Sequence, residues 1–215
     1  MIIDVFSDMV CPWCRIGKKH LKDALKEWQG EPVQVRFRAY MLDPNVPMEG
    51  ENFREWFIIR KGVSEAQLEA MISHVTEAGK AAGVRFDFDH LTIAPNTMYA
   101  HRLMAFAPED LREALFDAIT EAHFERNVNI GLPDELAKIA VTAGMPDSER
   151  IADRLAAGEG SDDVKRDLRD ARAIGVTGVP FFLINNKYSM SGARPPRDML
   201  RAMEWALQQE GSATQ

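Results

Sequence analysis

The chain has 215 residues, of which 46% are hydrophobic and 27% charged, the balance of a soluble globular protein holding one large domain or a small domain with an insertion. Its formal net charge of −7 argues against nucleic acid or an anionic membrane as the main partner, since both need a cationic surface. Two cysteines in a chain this long exclude a disulfide scaffold, and no apolar run approaches the roughly 20 residues of a membrane span.

Met1 is followed directly by the apolar run of residues 2–6, which predicts a buried strand. With no cationic start and no small-residue cleavage site, the expected location is cytoplasmic. A loop, Ser7-Asp8-Met9-Val10, leads to Cys11-Pro12-Trp13-Cys14. From Pro12 a helix is expected to about residue 28, with Leu21, Ala24, Leu25 and Trp28 inward and Lys18, Lys19, His20, Lys22, Asp23 and Lys26 on a solvated face. Pro12 suits the first helical position, because its φ is already helical and its missing N–H would have had no partner there. Gly30 and Pro32 stop the helix, and Val33, Val35, Phe37 and Ala39 alternate with polar residues as a second strand. Two strands joined by a helix predict a parallel, right-handed βαβ unit.

Residues 45–173 read as helices. A short aromatic helix is expected over residues 52–60. Ser64 and Gln67 form a capping-box pattern opening a helix that ends near Gly83. Asn96 or Thr97 is placed to cap a helix to about residue 107. Pro108 opens another through Arg126, Pro133 opens one to Gly144, and two more cover residues 147–157 and 161–174. The β pattern then returns at residues 181–184 and 187–191. Asn185-Asn186 between them suits a type I′ hairpin, since Asn tolerates φ > 0. Pro195-Pro196 opens a last amphipathic helix, and residues 211–215 are expected to fray. The order predicts an α/β, thioredoxin-like fold with a large all-helical insertion: residues 1–44 and 175–215 for the thioredoxin-like domain, 45–174 for the insertion.

The C-x-x-C spacing carries the chemistry. Such a pair in a reducing cytosol points to redox catalysis or metal binding. Zinc needs four ligands, and the sequence has no second Cys pair and no H-x₃₋₅-H pattern; only a dimer pooling two pairs would complete a site. Disulfide exchange needs a thiolate. Cys11 is expected at the helix mouth with its sulfur exposed beside an apolar lip from Trp13, where unpaired N–H groups and the helix dipole favour an anion. Cys14, one turn later, is placed to attack a mixed disulfide on Cys11. Val179-Pro180 ahead of the apolar run 181–184 is a candidate cis bond that sets the Val179 backbone against the sulfurs.

Cys11-Pro12-Trp13-Cys14, Gly178-Val179-Pro180-Phe181-Phe182 and Ser191-Gly192-Ala193, with Asn96-Thr97 and Ala100-His101-Arg102-Leu103 in the insertion, resemble the DsbA family, specifically its FrnE-like branch. The resemblance covers nearly the whole chain. It implies a thioredoxin fold, a redox-active pair at Cys11 and Cys14 and a cis-proline at Pro180, with no cofactor beyond the redox-active disulfide. The further C-terminal cysteine pair of some FrnE-like proteins is absent. The same superfamily holds 2-hydroxychromene-2-carboxylate isomerases and kappa-class glutathione transferases, which place serine where Cys11 stands. A glutathione-dependent isomerase or transferase is therefore an alternative, glutathione remains a candidate co-substrate, and a peptide-binding holdase with secondary cysteines is a third reading. Partners are expected among thiol- or disulfide-containing proteins and small thiols, with no nucleic acid or membrane.

Other polar residues are weighed singly. His101 is a candidate site residue, because the resemblance puts the Asn96 segment near the cysteines. His74, His90 and His123 read as structural. Asp4 and Asp8 flank the active-site strand as candidate proton acceptors for Cys14, with Asp8 equally readable as a turn residue. Phe53, Trp56 and Phe57 read as core before groove.

Overall fold

The computed structural model describes residues 1–212; residues 213–215, the end of the tail expected to fray, lie outside the described part, while Gly211 and Ser212 continue the last helix. The chain opens with β1 (Ile2–Ser7), α1 (Pro12–Glu27) and β2 (Gln34–Ala39). The insertion follows: β3 (Glu51–Asn52), α2 (Phe53–Glu55), α3 (Glu65–Ala82), β4 (Ile93–Ala94), α4 (Met98–Phe106), α5 (Arg112–Arg126), α6 (Pro133–Thr142), α7 (Ile151–Ala156) and α8 (Ser161–Ala173). The chain closes with β5 (Phe181–Ile184), β6 (Tyr188–Ser191) and α9 (Pro196–Ser212).

The sheet runs β2-β1-β5-β6, parallel between β1 and β2 and antiparallel elsewhere. Strand alternation sorts the side chains of β1 to two faces. Ile3 and Val5 join Leu21 and Ala24 of α1, Phe182, and Met199 and Met203 of α9 in one core. Phe6 points the other way, to Ala171 of α8, Val176 and Phe181. Asn185 and Asn186 both have positive φ, 49° and 56°, as the hairpin requires. Asn185 also accepts the Ile2 N–H at 2.7 Å.

The insertion departs from its expected outline in small ways. It is helical apart from the two-residue ladder of β3 and β4, which apolar patterning is too short to reveal. The expected aromatic helix is one α turn, capped by the Asn52 side chain, that widens into a π turn over Trp56–Arg60. The helix expected from Pro108 starts as a 3₁₀ turn, Glu109–Leu111, before α5. The Ser64 capping box is present, and Gly83 closes α3 at φ 71°.

One expectation fails in part. Lys22 and Lys26 of the cationic face of α1 are exposed as expected, but Lys18 is covered, because α5 lays an acidic row of four-residue spacing against the start of that face. Lys22 and Lys18 meet Glu113 at 2.8 and 2.9 Å, Lys18 also meets Asp117 at 2.6 Å, and Arg15 pairs with Glu121 at 3.7 Å and with Glu125. Lys18 and Arg15 are buried as a result. His20 is half-buried, its Nδ1 2.9 Å from the Arg194 carbonyl. A ladder of ion pairs thus binds the helix that follows the cysteines to the insertion.

Candidate active site

Cys11 is the residue before α1, in extended conformation, and Pro12 is the first helical residue. The Cys11 N–H donates to the Asp8 carbonyl and the Cys14 N–H to the Cys11 carbonyl, both at 3.0 Å, so the loop and the first turn are closed on each other. Cys14 sits one turn in, on the buried side. Its thiol is pushed well above its usual range, first by burial and then by a hydrogen bond with the Cys11 sulfur that holds the proton on Cys14.

The exposed sulfur expected at Cys11 is not found: the residue is only 5% exposed. Met9, Cys11 and Cys14 belong to the core that the insertion makes with Leu103, Phe116 and Ile119, and Trp13 and Val179 pack against that core. The insertion therefore roofs the pair. Its apolar helix faces bury themselves on the loop that carries the cysteines.

On the opposite side the Val179–Pro180 peptide is cis, and the Cys11 thiol donates to the Val179 carbonyl at 3.6 Å. Pro180 is buried and its carbonyl accepts the Gly192 N–H at 2.8 Å. Gly17, which the sequence reading passed over, is what lets α1 approach. A methyl group there would stand 2.8 Å from Pro180 Cγ. Its signal was a glycine inside a helix, three residues after Cys14, where it weakens the helix and needs a packing reason.

The other candidates separate. His101 of α4 comes to the site: its Nε2 lies 3.3 Å from Oδ1 of Asp8, with both side chains buried. Asn96 holds its own segment, donating to the Val46 carbonyl at 2.6 Å and accepting the Met98 N–H at 2.9 Å. Asp4 is engaged elsewhere, with Arg36 at 2.9 and 2.6 Å and Arg38 at 3.3 Å, so it is no acceptor for Cys14. His74, expected to be structural, is exposed and meets the Trp13 ring edge-on at 5.2 Å between centroids. No sequence signal links these two, since the contact joins separate helices. His123 is fully buried in α5, and burial lowers its pKa to about 4. His90 stays exposed beside Asp87. Phe53 is core, packed on Phe57 and Phe88, while Trp56 donates to Asp43 at 3.2 Å. Among the described residues no group of three or more His, Cys, Asp or Glu side chains is arranged to hold a metal ion, and no helix is long and apolar enough to cross a membrane.

Known proteins resemble the chain throughout. A protein of Bacillus subtilis, YwbO, whose function is uncharacterized, is 25% identical over 186 residues, 86% of each chain. The crystal structure of a probable DsbA oxidoreductase from Streptomyces coelicolor superposes with a TM-score of 0.89 at 30% identity, covering 97% of this chain and 90% of that one. A 2-hydroxychromene-2-carboxylate isomerase shares the fold, with a TM-score of 0.68 at 13% identity over the whole of both chains. The model of the DSBA-like thioredoxin domain matches residues 2–204, and the chain belongs to that family of DsbA-like thiol oxidoreductases.

Proposed function

We propose that Cys11 and Cys14 cycle between dithiol and disulfide, exchanging with the thiols or disulfides of peptides and small thiols. The observation that carries this reading is the asymmetry of the pair. Cys11 stands at the start of α1 with its sulfur against the Val179 carbonyl, while Cys14 lies deeper with its proton held by burial and by the Cys11 sulfur. A helix start favours the anion at Cys11. In the reducing direction the Cys11 thiolate attacks a substrate disulfide and one substrate thiolate leaves. Cys14 then attacks Cys11, closing the Cys11–Cys14 disulfide and releasing the second. In the oxidising direction the same steps run backwards. The half-buried Trp13 and Val179 are the groups that would border an incoming chain, and an extended segment can pair with the Val179 backbone as an added strand.

The test is alkylation of the reduced protein at mildly acidic pH, mapped by mass spectrometry, together with turnover of a model disulfide. Cys11 is expected to react first and Cys11→Ser to abolish turnover. Cys14→Ser is expected to stop at a stable mixed disulfide. Equal labelling of both cysteines, or turnover surviving in Cys11→Ser, refutes the reading.

A further inference from the structure

Buried polar atoms in folded proteins almost always have partners, so those without one call for an explanation. Among the described residues three such side-chain atoms are found: Asp8 Oδ1, His101 Nε2 and His123 Nδ1. Asp8 is three residues before Cys11, its carboxylate acts electrostatically on both Cys14 and His123, and His101 faces it across 3.3 Å. The other Asp8 oxygen accepts the Leu42 N–H at 2.8 Å. Among the described residues no Lys or Arg is ion-paired with it.

Behind His101 lies a cavity of about 20 Å³, also lined by Ser7, Arg38 and Asp167. That is room for one water molecule, and its walls offer polar partners. Phe37, Arg38, Ala105 and Asp167 line both this cavity and an open groove of about 700 Å³ between the sheet and α8. A line of polar groups therefore runs from Cys14 past Asp8 and His101 to a small cavity that shares its walls with the open groove.

We propose that Asp8 and His101 form a proton relay for Cys14, opening through the small cavity into the groove between the sheet and α8. The proposal rests on the exchange reading above. As Cys14 attacks the mixed disulfide, its thiol proton passes to the Asp8–His101 pair. The new bond joins Cys14 Sγ to Cys11 Sγ, the bond from Cys11 Sγ to the substrate sulfur breaks, and the electron pair leaves with the substrate thiolate. Both cysteines are thereby oxidised and the substrate is reduced. The proton then leaves through the small cavity, which has room for one water molecule. In the reverse direction the relay returns a proton to the departing Cys14 thiolate. A thiol buried under a roof of apolar side chains is shielded from bulk solvent, so its deprotonation needs such a route. The groups facing Asp8 are His101 from α4, Cys11 just before α1, Cys14 from α1 and His123 from α5; those facing the cavity with His101 are Arg38 from β2 and Asp167 from α8.

Ellman's reagent separates the steps in the reduced, full-length protein: the first equivalent of coloured thiol reports attack by Cys11, the second resolution by Cys14. Asp8→Asn and His101→Gln are expected to slow the second phase about 10²-fold at neutral pH, the loss of one general base. The first phase should be unaltered and the deficit should shrink as pH rises. Should Asp8→Asn fail to fold, His101→Gln carries the same test, since glutamine keeps a polar group at that position and cannot titrate. A second phase unchanged in folded variants, or slowed by one factor at every pH, overturns the relay. Absence of the first phase in the unaltered protein overturns the exchange reading, and the relay with it.

Discussion

Two buried carboxylates four residues apart, Asp4 within β1 and Asp8 just beyond it, are treated in opposite ways by the rest of the fold. Asp4 is neutralised by the forked guanidinium of Arg36 and by Arg38, and Arg38 is held in turn by Asp167 at 2.6 Å and Asp170 at 2.5 Å of α8. Asp8 accepts one backbone N–H on one oxygen, and its other oxygen faces a histidine across 3.3 Å without a hydrogen bond. A buried carboxylate with both oxygens hydrogen-bonded fixes structure; one with an unbonded oxygen near a reactive thiol is able to take a proton. The difference separates a structural end of the strand from a chemical end.

Removing the satisfied member should therefore harm the fold and spare the chemistry. Asp4→Asn leaves two guanidiniums without their shared anion, and is expected to cost about 3 kcal/mol, the lower end for breaking a buried pair because Arg36 keeps contact with solvent. Urea unfolding measures the loss. Two-phase thiol release from the folded variant should match the unaltered protein at every pH. A pH profile displaced as expected for Asp8→Asn would erase the contrast between the two carboxylates.

His123 sharpens the same contrast through stability. An unfolded chain protonates this side chain near pH 6.5, whereas the fold keeps it neutral down to about pH 4, first because of burial. Over that window the unfolded chain binds the extra proton, so stability falls as pH drops from 6.5 and is lower by about 3 kcal/mol near pH 4. His123→Leu should remove this acid sensitivity in urea titrations at pH 7 and 4. An unchanged difference between those two pH values would show that another group carries it.

Gly17→Ala probes the approach of α1 to Pro180, where the added methyl would meet Pro180 Cγ at 2.8 Å and Phe182 Cζ at 3.3 Å. Overpacking of this kind costs about 1–3 kcal/mol. Since α1 also carries Cys14, the variant should exchange more slowly as well as unfold more easily. Thermal melts and thiol release measured on one sample check both, and unchanged exchange would show that the contact serves packing alone.

Much of this was legible in the sequence where local chemistry decides. Pro12 after Cys11, the Ser64–Gln67 cap and the Asn185-Asn186 turn each write their geometry in adjacent residues, and the structure carries all three. The cysteine pair and Val179-Pro180 were visible as motifs, and the fold brings Cys11 to the Val179 carbonyl. What stayed hidden depends on elements distant in the chain. Asp4 and Asp8 looked alike until Arg36 and His101 arrived from other elements. The burial of Cys11 follows from helices some hundred residues later in the chain, and His74 reaches Trp13 from α3. The basic face of α1 read as solvated because its acidic partners on α5 are recognised only once the two helices are known to pack.

That ladder supplies the smallest and most condition-dependent effect. Burial alone would raise the Glu113 pKa, but hydrogen bonds from Lys22 and Lys18 outweigh it and hold the carboxylate below its ordinary range. A carboxylate with a lowered folded pKa stabilises the protein above its unfolded pKa, and that contribution is lost as pH falls through the folded value. Glu113→Gln should therefore cost about 0.5–1 kcal/mol at neutral pH, no more, because the Glu113 side chain is 49% exposed and water screens the pair. The gap between variant and unaltered protein should close in about 1 M salt, where the screening length falls to about 3 Å, and again in acid. Asp4→Asn should keep most of its deficit in the same salt, since the Asp4 carboxylate is fully buried. Denaturant titrations at low and high salt give both values side by side. If the Glu113→Gln deficit persists in high salt, the α1–α5 contact is held by packing of the side-chain stems rather than by charge.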